Sequence, residues 1–149
     1  MKSVLKWTGD MKFEAMADGK SVQMDAKSPI GGGSAQTPKE LVLDGLGGCT
    51  AMDVIALLKK HKQPLDSFEV SVEVETTKTG HPVLFTHATI MFDAFGAVEA
   101  KILFESVQLS QTKYCGVSAM LSKAFPIEYV VKLNGEEIGR GYADFGSTK

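Results

Sequence analysis

The segment Thr37–Lys60 constrains this chain more than any other stretch. Thr37-Pro38-Lys39-Glu40 carries a capping hydroxyl, a proline at the first helical position and a glutamate three residues after the cap, which together mark a helix start. From Leu41 to Leu58 the pattern is apolar nearly all round, broken only by Asp44, Thr50 and Asp53, before Lys59-Lys60 complement the C-terminal dipole. A helix of that kind has to be covered on every side. Gly45, Gly47 and Gly48 lie inside it, each at a cost of about 0.8–1 kcal/mol against Ala. Their presence points to a close approach of another backbone. The spacing predicts a central helix, and a helix so hard to cover within 149 residues predicts a homodimer. The longest apolar stretch, Gly45 to Leu58, is interrupted by Asp53 and falls short of a membrane span.

The remaining elements fall into place around that helix. Val4–Thr8, Lys12–Ala17 and Ser21–Ala26 read as a strand meander with turns at Gly9-Asp10 and Asp18-Gly19. The loop from Lys27 to Gln36 holds Gly31-Gly32-Gly33 but lacks the Gly-Lys-Ser/Thr ending of a phosphate loop. It reads as a mobile loop bordering the helix start. Phe68, Val70, Val72 and Val74 alternate with polar residues, and a second strand covers Val83–Phe92. Ala100, Leu103, Phe104 and Val107 have helical spacing, as do Val117, Met120, Leu121 and Ala124. After Pro126, Ile127–Leu133 alternates up to an Asn134-Gly135 hairpin. Strands, long helix, strands, two helices and strands make an α+β fold, expected as a single domain over 1–149. Trp7, Phe13, Phe85 and Phe92 read as core.

Charge and cysteine usage exclude several functions. Sixteen basic residues against eighteen acidic ones give no cationic field for nucleic acid. Met1-Lys2-Ser3 runs into an alternating segment with no apolar h-region, so a cytoplasmic protein is expected. Two cysteines, Cys49 and Cys115, make neither a disulfide scaffold nor a zinc site, and His61, His81 and His87 share no ligand spacing with them. No cofactor or metal is expected. Cys49 lies inside the apolar helix, where a cysteine also serves as a small hydrophobe. Cys115, beside Lys113 and at the start of a later helix, has features that lower a thiol pKa. Spacing alone does not bring the two together. Asp53, four residues after Cys49, shares its helix face and reads as a hydrogen-bonding partner. Arg140 is the chain's single arginine.

The stretches Thr37-Pro38-Lys39-Glu40-Leu41, Leu46-Gly47-Gly48-Cys49-Thr50 and Lys113-Tyr114-Cys115-Gly116-Val117 resemble the OsmC/Ohr family of osmotically induced and organic-hydroperoxide-resistance proteins. Element order resembles that family over essentially the whole chain, while the residues at the arginine and glutamate positions put the match nearer its OsmC-like relatives than its organic hydroperoxide reductases. The resemblance implies an intertwined homodimer with paired central helices. It also implies a cysteine-based peroxidase active in oxidative-stress defence, with Cys49 attacking an organic hydroperoxide and Cys115 resolving the sulfenic acid as a disulfide that a dithiol reopens. Family peroxidases add an arginine from the N-terminal strands and a glutamate directly after the helix-opening proline. Here no arginine precedes Arg140, and Lys39 takes the glutamate's place with Glu40 one position later. Lys39, Glu40 and Asp53 are thus supporting candidates, Glu40 serving equally as a capping residue. Two other functions stay open from the sequence: a non-catalytic dimer binding a small apolar or electrophilic molecule, and a thiol redox sensor.

Overall fold

A computed structural model describes residues 1–146. The chain packs as two compact units, Met1–Leu43 and Asp44 onward, and helix α1 (Pro38–Lys60) starts in the first and continues in the second. In the first unit, strands β1 (Val4–Gly9), β2 (Lys12–Ala17) and β3 (Lys20–Met24) form an antiparallel sheet in sequence order. Its second turn is the expected one: Asp18 and Gly19 have φ of 49° and 75°, the left-handed pair that a tight hairpin needs. Trp7 and Phe13, expected in the core, are instead exposed, at 67% and 37% of their surface. Leu5, Met16 and Val22 are exposed beside them. Within its own unit a three-stranded sheet has too little structure to cover its large side chains, whatever their alternation.

The loop after β3 is more ordered than its glycines suggest. Asp25 accepts hydrogen bonds from the Ala26 N–H (2.8 Å), the Ser34 N–H (2.9 Å) and the Ser34 hydroxyl (2.8 Å). The bonds from Ser34 hold its carboxyl below the usual range. Gly31 sits so close to Asp25 and to the Ala26 carbonyl that a Cβ would collide with both.

In the second unit, β4 (Leu65–Thr76), β5 (Phe85–Gly96), β6 (Ile127–Leu133) and β7 (Glu136–Tyr142) form one sheet in that order. Its pairings are antiparallel, parallel and antiparallel. The parallel β5–β6 step needs a crossover, which is filled by α2 (Ala100–Leu109), a π-helical turn (Ser110–Tyr114) and α3 (Gly116–Leu121). Alternation sorts the sheet's two faces. Ile90, Phe92, Tyr129 and Val131 turn inward with Leu46, Val54 and Leu58 of α1 and Leu103 and Val107 of α2. Phe68 and Phe92 stack with ring centroids 6.2 Å apart. Gly47 lies directly against the sheet, its missing Cβ only 3.1 Å from Val72 Cγ2. Gly139 and Gly141 of β7 leave room for the rings of Phe104 and Tyr129.

α1 is longer than its apolar stretch suggested. It has 23 residues, and an 18-residue window within it reaches a mean hydropathy of 1.7, long and apolar enough to cross a membrane by length and composition. Its burial is one-sided: Leu46, Gly47, Thr50, Val54 and Leu58 are buried, whereas Gly45, Met52 and Ala56 are exposed. Gly45 and Gly48 have nothing within 4 Å of a built Cβ. The close approach read from these glycines is thus made within the chain by Gly47 alone.

Candidate active site

At the head of α1, Thr37 and Glu40 form the reciprocal cap expected from their spacing. Glu40 Oε2 accepts from the Thr37 N–H (2.7 Å) and hydroxyl (2.9 Å), and Thr37 Oγ1 accepts from the Glu40 N–H at 3.3 Å. The other carboxylate oxygen pairs with Lys27 Nζ at 2.6 Å. Lys27, with the two Thr37 donors, pushes the Glu40 carboxyl down to about 2. Glu40 is therefore engaged as a cap and a loop anchor. Lys39 stands exposed in the same first turn.

A folded-state value below the unfolded one stabilises wherever the unfolded carboxylate is ionised, and that stabilisation is lost as pH falls through the folded value. The melting-temperature gap between wild type and Glu40→Gln should therefore be constant from pH 7 to 5. It should close as pH drops from about 4.5 toward 2. Added salt should remove only the Lys27 share of the gap, because that pair is exposed.

The second unit brings the two cysteines together. Cys49, half-buried on α1, is a close enough neighbour of the Cys115 thiol to interact with it. Cys115 is fully buried and is the N-cap of α3, its sulfur accepting the Ser118 N–H at 3.3 Å. The sequence expectation of an acidified Cys115 is not met. Burial pushes this thiol up, and the neighbouring Cys49 thiol adds to the rise. The Ser118 N–H bond works in the opposite direction and loses. A single turn of N–H groups does not offset the loss of water around a thiolate.

Asp53 lies beside the pair, in a polar group that sequence reading left unassigned. Ser110 Oγ donates to Asp53 Oδ2 (2.9 Å) and lies 2.8 Å from Thr50 Oγ1, which accepts from Gln111 Nε2 at 2.7 Å. Thr50, Ser110 and Gln111 are all fully buried. A signal for them was present in the spacing: Ser110 and Gln111 continue the buried stripe of Leu103 and Val107 at the next helical turn. Polar residues at such positions need partners. Two buried atoms among the described residues, Gln111 Oε1 and Ser118 Oγ, have none.

Arg140 does not reach the thiols. It grips Glu137 through two bonds, Nε to Oε1 at 2.8 Å and Nη2 to Oε2 at 2.7 Å. A longer contact to Glu128 lies at 3.4 Å. These residues line the sheet face opposite the one that receives α1. No cluster of His, Cys, Asp and Glu that could hold a metal ion occurs among the described residues.

Fold and site define an α+β protein with two neighbouring thiols, Cys49 on α1 and Cys115 at the start of α3. The chain belongs to the OsmC family: the family described as OsmC-like protein matches residues 31–130. Protein YhfA of Escherichia coli (strain K12) is 35% identical over 131 residues, covering 87% of this chain and 95% of that protein. Among solved structures, a hypothetical protein from Aquifex aeolicus VF5 is 26% identical with a TM-score of 0.79, over 91% of this chain and 97% of its own. A Legionella pneumophila organic hydroperoxide resistance protein OsmC shares the fold, with 19% identity and a TM-score of 0.58 over 89% of this chain and 95% of that one.

Proposed function

We propose that this protein reduces organic hydroperoxides through its two cysteines, as part of a cytoplasmic defence against oxidative stress. The observation that carries the reading is the contact between a half-exposed thiol, Cys49, and a fully buried one, Cys115. Cys49 is the thiol an incoming peroxide can reach, and its sulfur attacks the O–O bond. The alcohol leaves, and Cys49 becomes a sulfenic acid. Cys115 gives up its proton and attacks that sulfur, a disulfide forms and water departs. A dithiol reductant then exchanges with the disulfide, restoring both thiols and leaving as its own disulfide. Every electron passed to the peroxide thus comes from the dithiol. Membership of the OsmC family, and the shared fold of a protein named for organic hydroperoxide resistance, support the same chemistry. The apolar setting of Cys49 suits bulky hydroperoxides.

A homodimer accompanies this reading. The outward side of α1 around Gly45, Met52 and Ala56 carries no charge, and one face of the first unit's sheet exposes Leu5, Trp7, Phe13 and Val22. Apolar surface on that scale marks an interaction face.

Titrating the free thiols before and after one equivalent of cumene hydroperoxide tests the chemistry. Two thiols should disappear, return with a dithiol, and support steady turnover when both reagents are in excess. A specific observation favours one competitor, the redox sensor: Glu40 is held by Lys27 and Thr37, and the only arginine is held by Glu137. Stoichiometric disulfide formation without turnover would establish the sensor instead. Unreactive thiols would leave a binding protein.

A further inference from the structure

We infer that Thr50, Asp53, Ser110 and Gln111 form a directed hydrogen-bond clamp that positions Cys115 against Cys49 and so sets the redox equilibrium of the pair. This inference rests on the two cysteines acting as a redox couple, as proposed above.

The direction of the bonds follows from donor arithmetic. A serine hydroxyl has one hydrogen, and Ser110 gives its hydrogen to the Asp53 carboxylate at 2.9 Å. The 2.8 Å contact between Thr50 and Ser110 must then be donated by Thr50. With its hydrogen committed, Thr50 Oγ1 can only accept, which turns the amide nitrogen of Gln111 toward it at 2.7 Å. The order is Gln111 to Thr50 to Ser110 to Asp53, ending on an acceptor-only group. Chains with one sense polarise each other, and burial strengthens them.

The clamp joins the two cysteine carriers. Thr50 directly follows Cys49 on α1, and Asp53 lies one turn later. Ser110 and Gln111 open the π-helical turn, whose closing bond runs from the Cys115 N–H to the Ser110 carbonyl at 2.9 Å. Each end of the thiol pair is therefore within one bonded step of the clamp. π-helical turns occur disproportionately at functional sites, and this one aims two polar side chains at α1. Fastening both carriers raises the effective concentration of one thiol toward the other. That concentration sets how readily two thiols become a disulfide.

The test is equilibration with glutathione buffers, in which two protein thiols and one oxidised glutathione give the protein disulfide and two reduced glutathiones. Alkylation and mass spectrometry read the ratio. Ser110→Ala should lower the effective concentration about tenfold, raising the potential of this two-electron couple by about 30 mV. Asp53→Asn keeps the shape and an acceptor oxygen, so its shift should be smaller and in the same direction. That variant decides the matter if Ser110→Ala does not fold. Ser106→Ala removes a bond from a buried serine to the Ile102 carbonyl on α2, one turn before the clamp and outside its side-chain bonds. It should change stability without changing the ratio. Clamp variants that are folded yet equilibrate like wild type, or a Ser106 variant that shifts the ratio equally, would overturn the inference. If wild type forms the disulfide with glutathione but never turns over peroxide, the peroxidase reading fails while the clamp is still measured.

Discussion

Cys49→Ser will consume no hydroperoxide, whereas Cys115→Ser will be oxidised once and stop. The serine hydroxyl is a far weaker nucleophile than a thiolate at neutral pH, so the first variant loses the reacting atom itself. The second keeps it but lacks the sulfur that intercepts the sulfenic acid. Intact-protein mass spectrometry after one equivalent of cumene hydroperoxide should find Cys49→Ser unchanged. In Cys115→Ser it should find Cys49 carrying one oxygen, then two or three with excess reagent. The asymmetry has a structural basis, because Cys49 is half-exposed and Cys115 is fully buried beneath it. A sulfenic acid found on Cys115, with Cys49 still reduced, would reverse the roles.

Gly48→Leu should destabilise the protein, and the sign of that effect separates dimer from monomer. Within one chain, a Cβ at Gly48 meets nothing within 4 Å. In an isolated protomer the substitution would therefore stabilise α1, since leucine is better than glycine in a helix by about 0.8–1 kcal/mol. Against a second copy, the added side chain would overpack the contact at a cost of about 1–3 kcal/mol. In a two-fold interface each substitution also enters twice. Light scattering at micromolar concentration should give a dimer mass for wild type and a lower mass for this variant. Met52→Lys, at a position 75% exposed in the protomer, should weaken association at least a hundredfold by placing two ammonium groups in an apolar contact. A wild-type monomer, with Gly48→Leu more stable than wild type, would remove the dimer from the reading.

What was legible in the sequence was local. The capping residues Thr37 and Glu40 contain the whole of their own interaction within one turn, and the structure forms it. Asp18-Gly19 and Asn134-Gly135 state their turns in two residues, and the alternation of Phe68 to Val74 states which side of β4 is covered. The parallel pairing of β5 with β6 is not written in either strand, because it depends on how the intervening helices return the chain. The exposure of Trp7 and Phe13 was equally hidden, since periodicity says which side chains share a face and not whether anything covers it.

The candidate site divides the same way. Both cysteines stand out as residue types with flanks that resemble a family, but their contact spans sixty-six positions and only the fold supplies it. Ser110 and Gln111 were not singled out in the sequence, although they continue the stripe of Leu103 and Val107. Their burial turns them into partners of Thr50, and the burial of Cys115 pushes its own thiol in the direction opposite to the one its helix position suggests. Burial outweighs position there.

The N-cap of α3 gives that last point a wider meaning. Most helices begin on an oxygen whose bonding never changes during the protein's working life. α3 begins on the sulfur of Cys115, which holds the Ser118 N–H while it is a thiol. Once that sulfur is bonded to Cys49 it is a poorer acceptor, and the first turn of the helix loses part of its fastening. In the proposed cycle one atom would then belong both to the secondary structure and to the electron-transfer chemistry. The oxidation state of the pair is thereby written into the backbone at Ser118, where a change of two electrons becomes a change in how firmly a helix starts.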